Sequence, residues 1–153
     1  MYQRRVYPSV IMVSVNKIKD PTDLKKAFAI REKVFVDEQK VPADAEYDAH
    51  EDTAHHYLAQ YAGVPCGAAR WRKTPYGIKL ERFAVLPSYR NQAVGSEILK
   101  QVLQDIKAAY PDEQIYLHAQ VPAMPFYARQ GFAPIGEKFS ECDIEHYKMI
   151  LRV

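Results

Sequence analysis

Three residues in the middle and second half of the chain could move protons. Tyr127 carries a hydroxyl that stays protonated at neutral pH, so it can supply a proton. Glu81 shares one face of a predicted strand with Phe83 and Val85, and apolar surroundings there would raise the pKa of its carboxyl toward that of a useful base. His118 lies in another predicted strand and has an imidazole, which titrates near neutrality. These residues predict general acid–base chemistry.

Each of these residues also has a structural interpretation. Tyr127 could be a core aromatic residue of a short helix, and His118 could be a packed imidazole. Glu81 could form a salt bridge with Lys79 or with neighbours of Arg82. The residues alone leave both interpretations open.

Anion binding is the second chemistry that the sequence suggests. A predicted strand ends at Pro87, and the strongest amphipathic helix of the chain begins a few residues later. A connection of this kind directs free backbone N–H groups and the positive end of the helix dipole at one spot, so it can hold a pyrophosphate. The loop residues with suitable charge, conformational tolerance or a hydroxyl are Arg90, Asn91, Gly95 and Ser96. An ordinary strand-to-helix connection is the alternative.

Other polar residues have competing explanations. Arg31 lies on the apolar face of the first predicted helix, so it needs a bound anion or a carboxylate such as Glu46 or Glu38. His146 could line a cleft or make a structural hydrogen bond, and with Cys142 it could form a nucleophile pair. One acidic segment has metal-capable atoms but no defined metal-ligand spacing, which favours a solvated loop; its residues are Asp48, His50, Glu51, Asp52, His55 and His56.

The elements that would position these residues alternate as β-α-β-β-β-α-β-α-β-β. Strands are predicted over residues 10–18, 56–61, 66–72, 78–86, 114–120, 132–139 and 146–153. The first helix should start at Asp20, as its cap, and Pro21, and end near Asp37. Another helix follows Gly95, a short one covers 123–129, and the segment 42–52 could hold a further turn of helix. The pattern indicates an α/β fold with a mixed sheet of about seven strands flanked by about four helices.

Length and composition restrict the class of protein. The 153 residues predict one domain over 1–153, and 48% hydrophobic with 26% charged residues excludes disordered and fibrous classes. A net charge of +2 gives no electrostatic reason to expect a nucleic acid or a membrane as partner. The sequence has no apolar stretch long enough for a membrane helix, and its two cysteines suit the reducing cytoplasm.

Several segments, in order, resemble the GNAT acetyltransferase superfamily. Its acyl-CoA-binding loop has the pattern Arg/Gln-x-x-Gly-x-Gly/Ala, and residues 90–95 read Arg-Asn-Gln-Ala-Val-Gly. The departure is Ala93, whose methyl group would crowd a phosphate if the backbone must approach closely. Further matching segments are 31–42, 67–72, 119–120, 126–132 and 144–146 before Met149. Together they resemble the YjcF/ElaA-like branch of the superfamily from about Ile18 to Met149.

The resemblance implies a GNAT-like fold whose sheet splays between the fourth and fifth strands. It implies transfer of an acetyl group from acetyl-CoA to a primary amine, by direct attack in a ternary complex. The general acid would be Tyr127, close to the CoA sulfur. Glu81 would be the base, directly or through water, with His118 ranked after it. No metal ion is expected, and the acceptor would be a small-molecule or peptide amine.

The resemblance also assigns binding residues and a homodimer. The pantetheine arm would pair with the main chain at Phe83, Ala84 and Val85. The pyrophosphate would lie at Arg90, Asn91, Gln92, Ala93, Val94, Gly95 and Ser96. The acceptor side would be lined by Arg31, Glu38, Gln39 and His146. A non-catalytic module that binds and senses acyl-CoA is the alternative function, and it predicts that Tyr127 and Glu81 point away from the thioester.

Overall fold

The computed structural model describes residues 12–152, which form one seven-stranded sheet and four α-helices. The strands are β1 (Val13–Lys17), β2 (His55–Tyr61), β3 (Val64–Thr74), β4 (Gly77–Val85), β5 (Ile115–Gln120), β6 (Phe132–Glu141) and β7 (Ile144–Leu151). The helices are α1 (Pro21–Arg31), α2 (Ala43–Glu46), α3 (Val94–Ala109) and α4 (Met124–Arg129). The predicted α/β order is confirmed. Residues 10, 11 and 153 of the predicted terminal strands lie outside the described residues.

The first helix begins as its sequence predicts and ends in a different form. The Asp23 backbone N–H donates to the Asp20 carboxylate over 2.8 Å, and Pro21 occupies the first turn, where no N–H is needed. After Arg31 the chain continues as a π-helix over Glu32–Glu38, before the segment that leads to α2. Wider π turns are common at functional sites, and this one ends beside the cleft described below.

Helices cover the two faces of the sheet unequally. The α3 side holds the larger core, in which Ile98, Val102 and Ile106 are fully buried against the sheet. The opposite face carries α1, whose Ala27 and Ile30 pack on β2, β3 and β4. Beyond β4, this second face has no α-helix of its own among the described residues. It therefore exposes polar side chains of β4, β5 and β7.

The sheet order is β1-β2-β3-β4-β5-β7-β6, and β4 and β5 form the parallel pair. These two strands pair only from Ile78 to Leu80 on β4, after which they diverge. Arg82 has a φ of 53°, at an irregularity in the β3–β4 register that bends β4 outward. The predicted splay between the fourth and fifth strands is confirmed. Within residues 12–152, no helix is long and apolar enough to cross a membrane.

Candidate active site

A cleft of about 590 Å³ opens where β4 and β5 diverge. Its walls come from both strands, the end of the π-helix, α4 and the turn between β6 and β7. Of the residues predicted to be functional, the cleft is lined by Tyr127, Glu81, His118, Phe83, Val85, Arg90, Glu38, Gln39 and His146. Arg31 and Ala84 do not line it, because Arg31 is buried at the end of α1 and Ala84 is buried beneath this helix. Residues 91–96 continue away from the cleft into α3.

The last residues of β4 present a free strand edge to the cleft. Ala84 and Val85 pair with β3 on one side, whereas no described strand pairs with β4 beyond Leu80 on the other. Main-chain groups on an unpaired strand edge are available to an extended ligand that offers its own amides. Phe83, Ala84 and Val85 therefore suit the pairing with pantetheine that was expected of them.

The start of α3 suits an anion. No side chain caps this end, and the first helical bond runs from Glu97 N–H to the Ala93 carbonyl. The N–H groups of Val94, Gly95 and Ser96 therefore have no partner within the helix, and they lie at the positive end of its dipole. Asn91 has the predicted left-handed φ, at 68°.

Two backbone details of this loop differ from the prediction. Ala93 also adopts a left-handed φ of 62°, a conformation that costs an alanine about 1–2 kcal/mol and a glycine little. The glycine usual at this position in the family pattern thereby has a conformational explanation. The unusual dihedral expected at Gly95 is wrong, because this residue is helical. A Cβ at Gly95 would lie 3.4 Å from the Phe126 ring, an ordinary van der Waals distance, so packing does not require a glycine there.

Arg90 joins the loop to the cleft through an ion pair. Its guanidinium donates two hydrogen bonds to the Glu38 carboxylate, over 2.8 and 2.9 Å, and a third from Nε to the Val85 carbonyl. The hydrogen bond from Arg90 holds the pKa of Glu38 below its ordinary value. Both side chains are exposed, so this pair can exchange partners when an anion arrives.

Tyr127 lies at the base of the cleft, on α4. Burial raises the pKa of its hydroxyl well above the ordinary value, so the group is protonated. The hydroxyl makes no hydrogen bond with the described part of the chain, and Phe83 and Phe126 pack around the ring. A protonated, unpaired hydroxyl in a cleft is available as a proton donor to a bound molecule.

Glu81 does not have the apolar surroundings that were predicted. Its carboxylate accepts from Arg72 Nε over 2.6 Å, and Arg70 and Lys79 lie within 3.4 Å. Burial alone would raise the pKa of Glu81, but these three cations outweigh it and lower the pKa. The expected rise is wrong, and the salt bridge with Lys79 that formed the structural alternative is present.

His118 has a partner that the sequence analysis did not find. Its Nδ1 lies 2.9 Å from Glu141, and the hydrogen bond from His118 lowers the pKa of that carboxyl. Because the carboxylate can only accept, Nδ1 carries the hydrogen, and Nε2 of the neutral ring keeps a lone pair. The arrangement gives His118 the form required of a base.

His146 and Cys142 lie at the β6–β7 hairpin without forming a nucleophile pair. His146 is buried and donates from Nδ1 to the Ile144 carbonyl over 2.6 Å, which is the structural hydrogen bond predicted as one alternative. Cys142 and Asp143 form the two-residue turn, both with positive φ, and the Cys142 thiol makes no hydrogen bond with His146 among the described contacts. Phe139 separates the two histidines, stacked on His146 and edge-on to His118.

Arg31 and the acidic segment form one buried ionic network. Arg31 is 1% exposed, and it bonds Glu46 and Glu51, each over 2.7 Å. Arg70, fully buried in β3, bonds Asp48 and Glu51. Glu46 is thus confirmed as a partner of Arg31. The expected solvated acidic loop is wrong for Asp48 and Glu51, and residues 12–152 contain no group of three or more ligating side chains that could hold a metal ion.

The remaining predicted acceptor residue contacts β5. Gln39 accepts a hydrogen bond from Gln120 over 2.7 Å, so the end of the π-helix is tied to the far wall of the cleft. Sequence reasoning missed Gln120 and Glu141 in particular. Glu141 could have been found only from the two-residue hairpin, which pairs its strand β6 with β7, the neighbour of β5.

Comparisons with known proteins agree with this geometry. A family model described as an acetyltransferase (GNAT) domain matches residues 18–153. An uncharacterized N-acetyltransferase of Bacillus subtilis, YjcF, is 42% identical over 134 residues, which cover 86% of this chain and 94% of the relative. The crystal structure of Escherichia coli ElaA is 25% identical with a TM-score of 0.83, covering 92% of this chain and all of that one. An acyl-CoA N-acyltransferase from Pseudomonas aeruginosa, also 25% identical, has a TM-score of 0.80 and covers 92% and 98%.

The expected resemblance is therefore confirmed from two directions. The family model spans the region in which the motifs were found, and the overall fold is similar to that of the two solved structures. Members of this family transfer acyl groups. The chain belongs to the GNAT family of acetyltransferases.

Proposed function

We propose that this protein transfers the acetyl group of acetyl-CoA to a primary amine of a small molecule or peptide. The observation that carries the proposal is the uncapped start of α3, which lies next to an unpaired strand edge. The first feature suits a diphosphate and the second suits pantetheine, so together they fit the two polar parts of CoA. The Pseudomonas aeruginosa neighbour is an acyl-CoA N-acyltransferase, which supports the same class of donor.

In this proposal the coenzyme is held mainly by the main chain. The N–H groups of Val94, Gly95 and Ser96 would donate to the diphosphate, with Asn91, Gln92 and Ala93 shaping the loop around it. Arg90 would exchange Glu38 for the phosphate oxygens. Phe83 to Val85 would pair with the pantetheine amides. When bound, acetyl-CoA supplies a thioester carbonyl as the electrophile.

The proton transfers can be assigned to two side chains. An alkylammonium must lose a proton before it attacks, because its pKa is near ~10, and the departing thiolate takes up a proton. His118 Nε2 would accept the proton from the amine, with Glu141 as its positioning residue. The amine nitrogen would form the new C–N bond, and Tyr127 would donate its proton to the sulfur as the C–S bond breaks. The attacking nitrogen would then lose its second proton, which would return to Tyr127 through water, while His118 would release the first proton to solvent.

Glu81 is the second candidate for the base, through a water molecule. Its lowered pKa makes it a weaker proton acceptor than an imidazole at neutral pH. We propose that its main contribution is to hold Arg72 and Lys79 in place. A Glu81→Gln variant separates the two roles. Loss of a base would lower kcat, whereas misplaced cations would chiefly raise the KM of the acceptor.

The test is release of free thiol from acetyl-CoA with a panel of primary amines, for wild type and Tyr127→Phe. Loss of one positioned proton donor should lower kcat by about 10²-fold. Tyr61→Phe is the matched control, since Tyr61 lies in β2 and outside the cleft. Coenzyme binding without thiol release with any amine would contradict transfer and favour the acyl-CoA-sensing alternative. An unchanged rate in Tyr127→Phe would contradict the assignment of the acid.

A further inference from the structure

A second depression lies beside the cleft, on the part of the sheet face that no α-helix among residues 12–152 covers. It has a volume of about 390 Å³ and shares Lys79 and His118 with the cleft. Its other lining residues are Arg72, Thr74, Pro75, Tyr76, Tyr116 and Lys148. No acidic side chain lines it. We call this depression the cationic pocket, after Arg72, Lys79 and Lys148.

The strand register brings the three cations together. Arg72 pairs with Lys79 across β3 and β4, and Lys79 pairs with Tyr116 across β4 and β5. His118 pairs with Lys148 across β5 and β7, and it is two residues from Tyr116, so it projects from the same face. Like charges directly opposite each other destabilise a sheet unless an anion compensates them.

The carboxylate available in the sheet compensates only part of this charge. Glu81 bonds Arg72 and approaches Lys79 to 3.4 Å, while it also faces Arg70. Lys148 has no carboxylate within 4.0 Å among residues 12–152, and its Nζ lies 4.8 Å from the centre of the Tyr116 ring and 5.9 Å from that of Tyr76. Its charge is thus available to a ligand.

The aromatic side chains give the pocket a defined wall. Tyr116 is fixed by a hydrogen bond between its hydroxyl and that of Thr74, over 2.7 Å. Tyr76 is 74% exposed at the β3–β4 turn and could cover a ligand held by Lys148. A pocket with cations at its base and an exposed aromatic ring at its rim fits an anionic group on a short organic chain.

We propose that the cationic pocket binds the anionic group, a carboxylate or a phosphate, of an acceptor whose amine reacts in the neighbouring cleft. The inference rests on the proposed function and adds the chemical class of acceptor. His118 links the two parts, since it lines both. The amine would lie at His118 and the anion beside Tyr116, where Lys148 Nζ lies. These two residues are two positions apart in β5, so the amine and the anion would be roughly 7 Å apart or somewhat more.

The test compares acceptors that differ only at the far end. ε-Aminocaproic acid and hexylamine both have an amine on a six-carbon chain, but the first ends in a carboxylate and the second in a methyl group. Aminohexylphosphonic acid ends in a phosphonate, which stands for a phosphate. We expect wild-type kcat/KM to be about tenfold higher for the better anionic acceptor than for hexylamine, as one charged hydrogen bond would give. Lys148→Gln should reduce this ratio by about tenfold, Lys148→Arg should retain most of it, and Lys107→Gln, on the distant α3, should leave it unchanged. The better of the two anionic acceptors identifies the anion.

Two outcomes would overturn the proposal while leaving the proposed function intact. Equal kcat/KM for hexylamine and both anionic acceptors would overturn it, as would an anion preference that Lys148→Gln retains. If no amine releases thiol, calorimetric titration of both anionic acceptors into the CoA-loaded protein tests the pocket alone. Binding that weakens at least fivefold in Lys148→Gln supports the pocket, and binding that does not weaken, or no binding at all, overturns it.

Discussion

At the scale of single residues, the site depends on the hydrogen-bond and ion-pair partners of His118 and Glu81. Glu141 lies 2.9 Å from His118 Nδ1 and thereby leaves Nε2 free, although these residues are 23 positions apart in the chain. Glu81, by contrast, forms ion pairs with Arg70, Arg72 and Lys79. On this difference we propose proton transfer for His118 and charge compensation for Glu81.

The first prediction concerns this histidine–carboxylate pair. Glu141→Gln replaces the charged acceptor of the His118 Nδ1 hydrogen bond with a neutral amide, so we expect kcat to fall about tenfold, and His118→Gln should cost about 10²-fold. Glu145→Gln, on the exposed side of the same hairpin, is the control. An unchanged kcat in both Glu141→Gln and His118→Gln would show that the pair has no catalytic part.

At the scale of elements, two ends determine the site: the start of α3 and the end of the π-helix. The first holds Ala93 in a left-handed conformation, and the second holds Glu38 against Arg90. Both details determine the conformation and the free charge of residues 90–96, where we propose that the coenzyme binds.

The Ala93 conformation gives a prediction of stability and affinity. Ala93→Gly removes the left-handed strain, so the free energy of unfolding should rise by about 0.5–1 kcal/mol after the greater flexibility of the unfolded chain is included. Removing the methyl group should also tighten CoA binding. Ala108→Gly, on the exposed surface of α3, should instead lower stability by about 1 kcal/mol. Urea unfolding measures both, and a loss of stability in Ala93→Gly would refute the explanation.

The Glu38–Arg90 pair gives a prediction of affinity. Glu38→Gln removes a negative charge and frees Arg90, so the Kd of CoA should fall by up to about fivefold, the range of an exposed ion pair. Arg90→Gln should raise the Kd. Calorimetry at low salt measures the effect, and weaker CoA binding in Glu38→Gln would mean that the pair organises the loop instead of competing with the coenzyme.

The sequence predicted elements better than contacts. The order of strands and helices, the Asp20 cap and the splay follow from periodicity, local signals and the family resemblance. The surroundings of Glu81 do not, because strand alternation shows which residues share a face, but not that Arg70 and Arg72 from the adjacent strand will surround the carboxylate. Arg31 illustrates a partial success: Glu46 could be proposed as its partner, whereas Glu51 depends on the path of an irregular segment.

At the scale of the whole molecule, the buried ionic network supports one wall of the cleft and makes the fold sensitive to acid. Burial raises the pKa values of Asp48, Glu51 and Glu81, but the arginines beside them outweigh burial and lower all three. Glu46 differs, because burial prevails and raises its pKa. A carboxyl with a lowered pKa stabilises the fold above its unfolded value, and this stabilisation is lost as the pH falls toward the folded value.

We therefore expect the free energy of unfolding to fall steeply below pH ~4.5, where unfolded carboxyls begin to bind protons. Glu46 opposes this trend, but three lowered groups outnumber it. Asp48→Asn should lower stability at neutral pH and flatten the acid dependence, whereas Asp112→Asn, on the exposed loop before β5, should do neither. Urea titrations at several pH values measure the slope, and a slope unchanged by Asp48→Asn would contradict the role of the network.

The central claim is that main-chain N–H groups at the start of α3 donate hydrogen bonds to the diphosphate of CoA. Isothermal titration calorimetry of the purified protein with CoA, and separately with pantetheine, which lacks the diphosphate and the nucleotide, tests it directly. We predict that CoA binds at least about tenfold more tightly than pantetheine and that this advantage shrinks with salt. Equal affinities for the two compounds, or no binding of CoA at millimolar concentration, would contradict the claim.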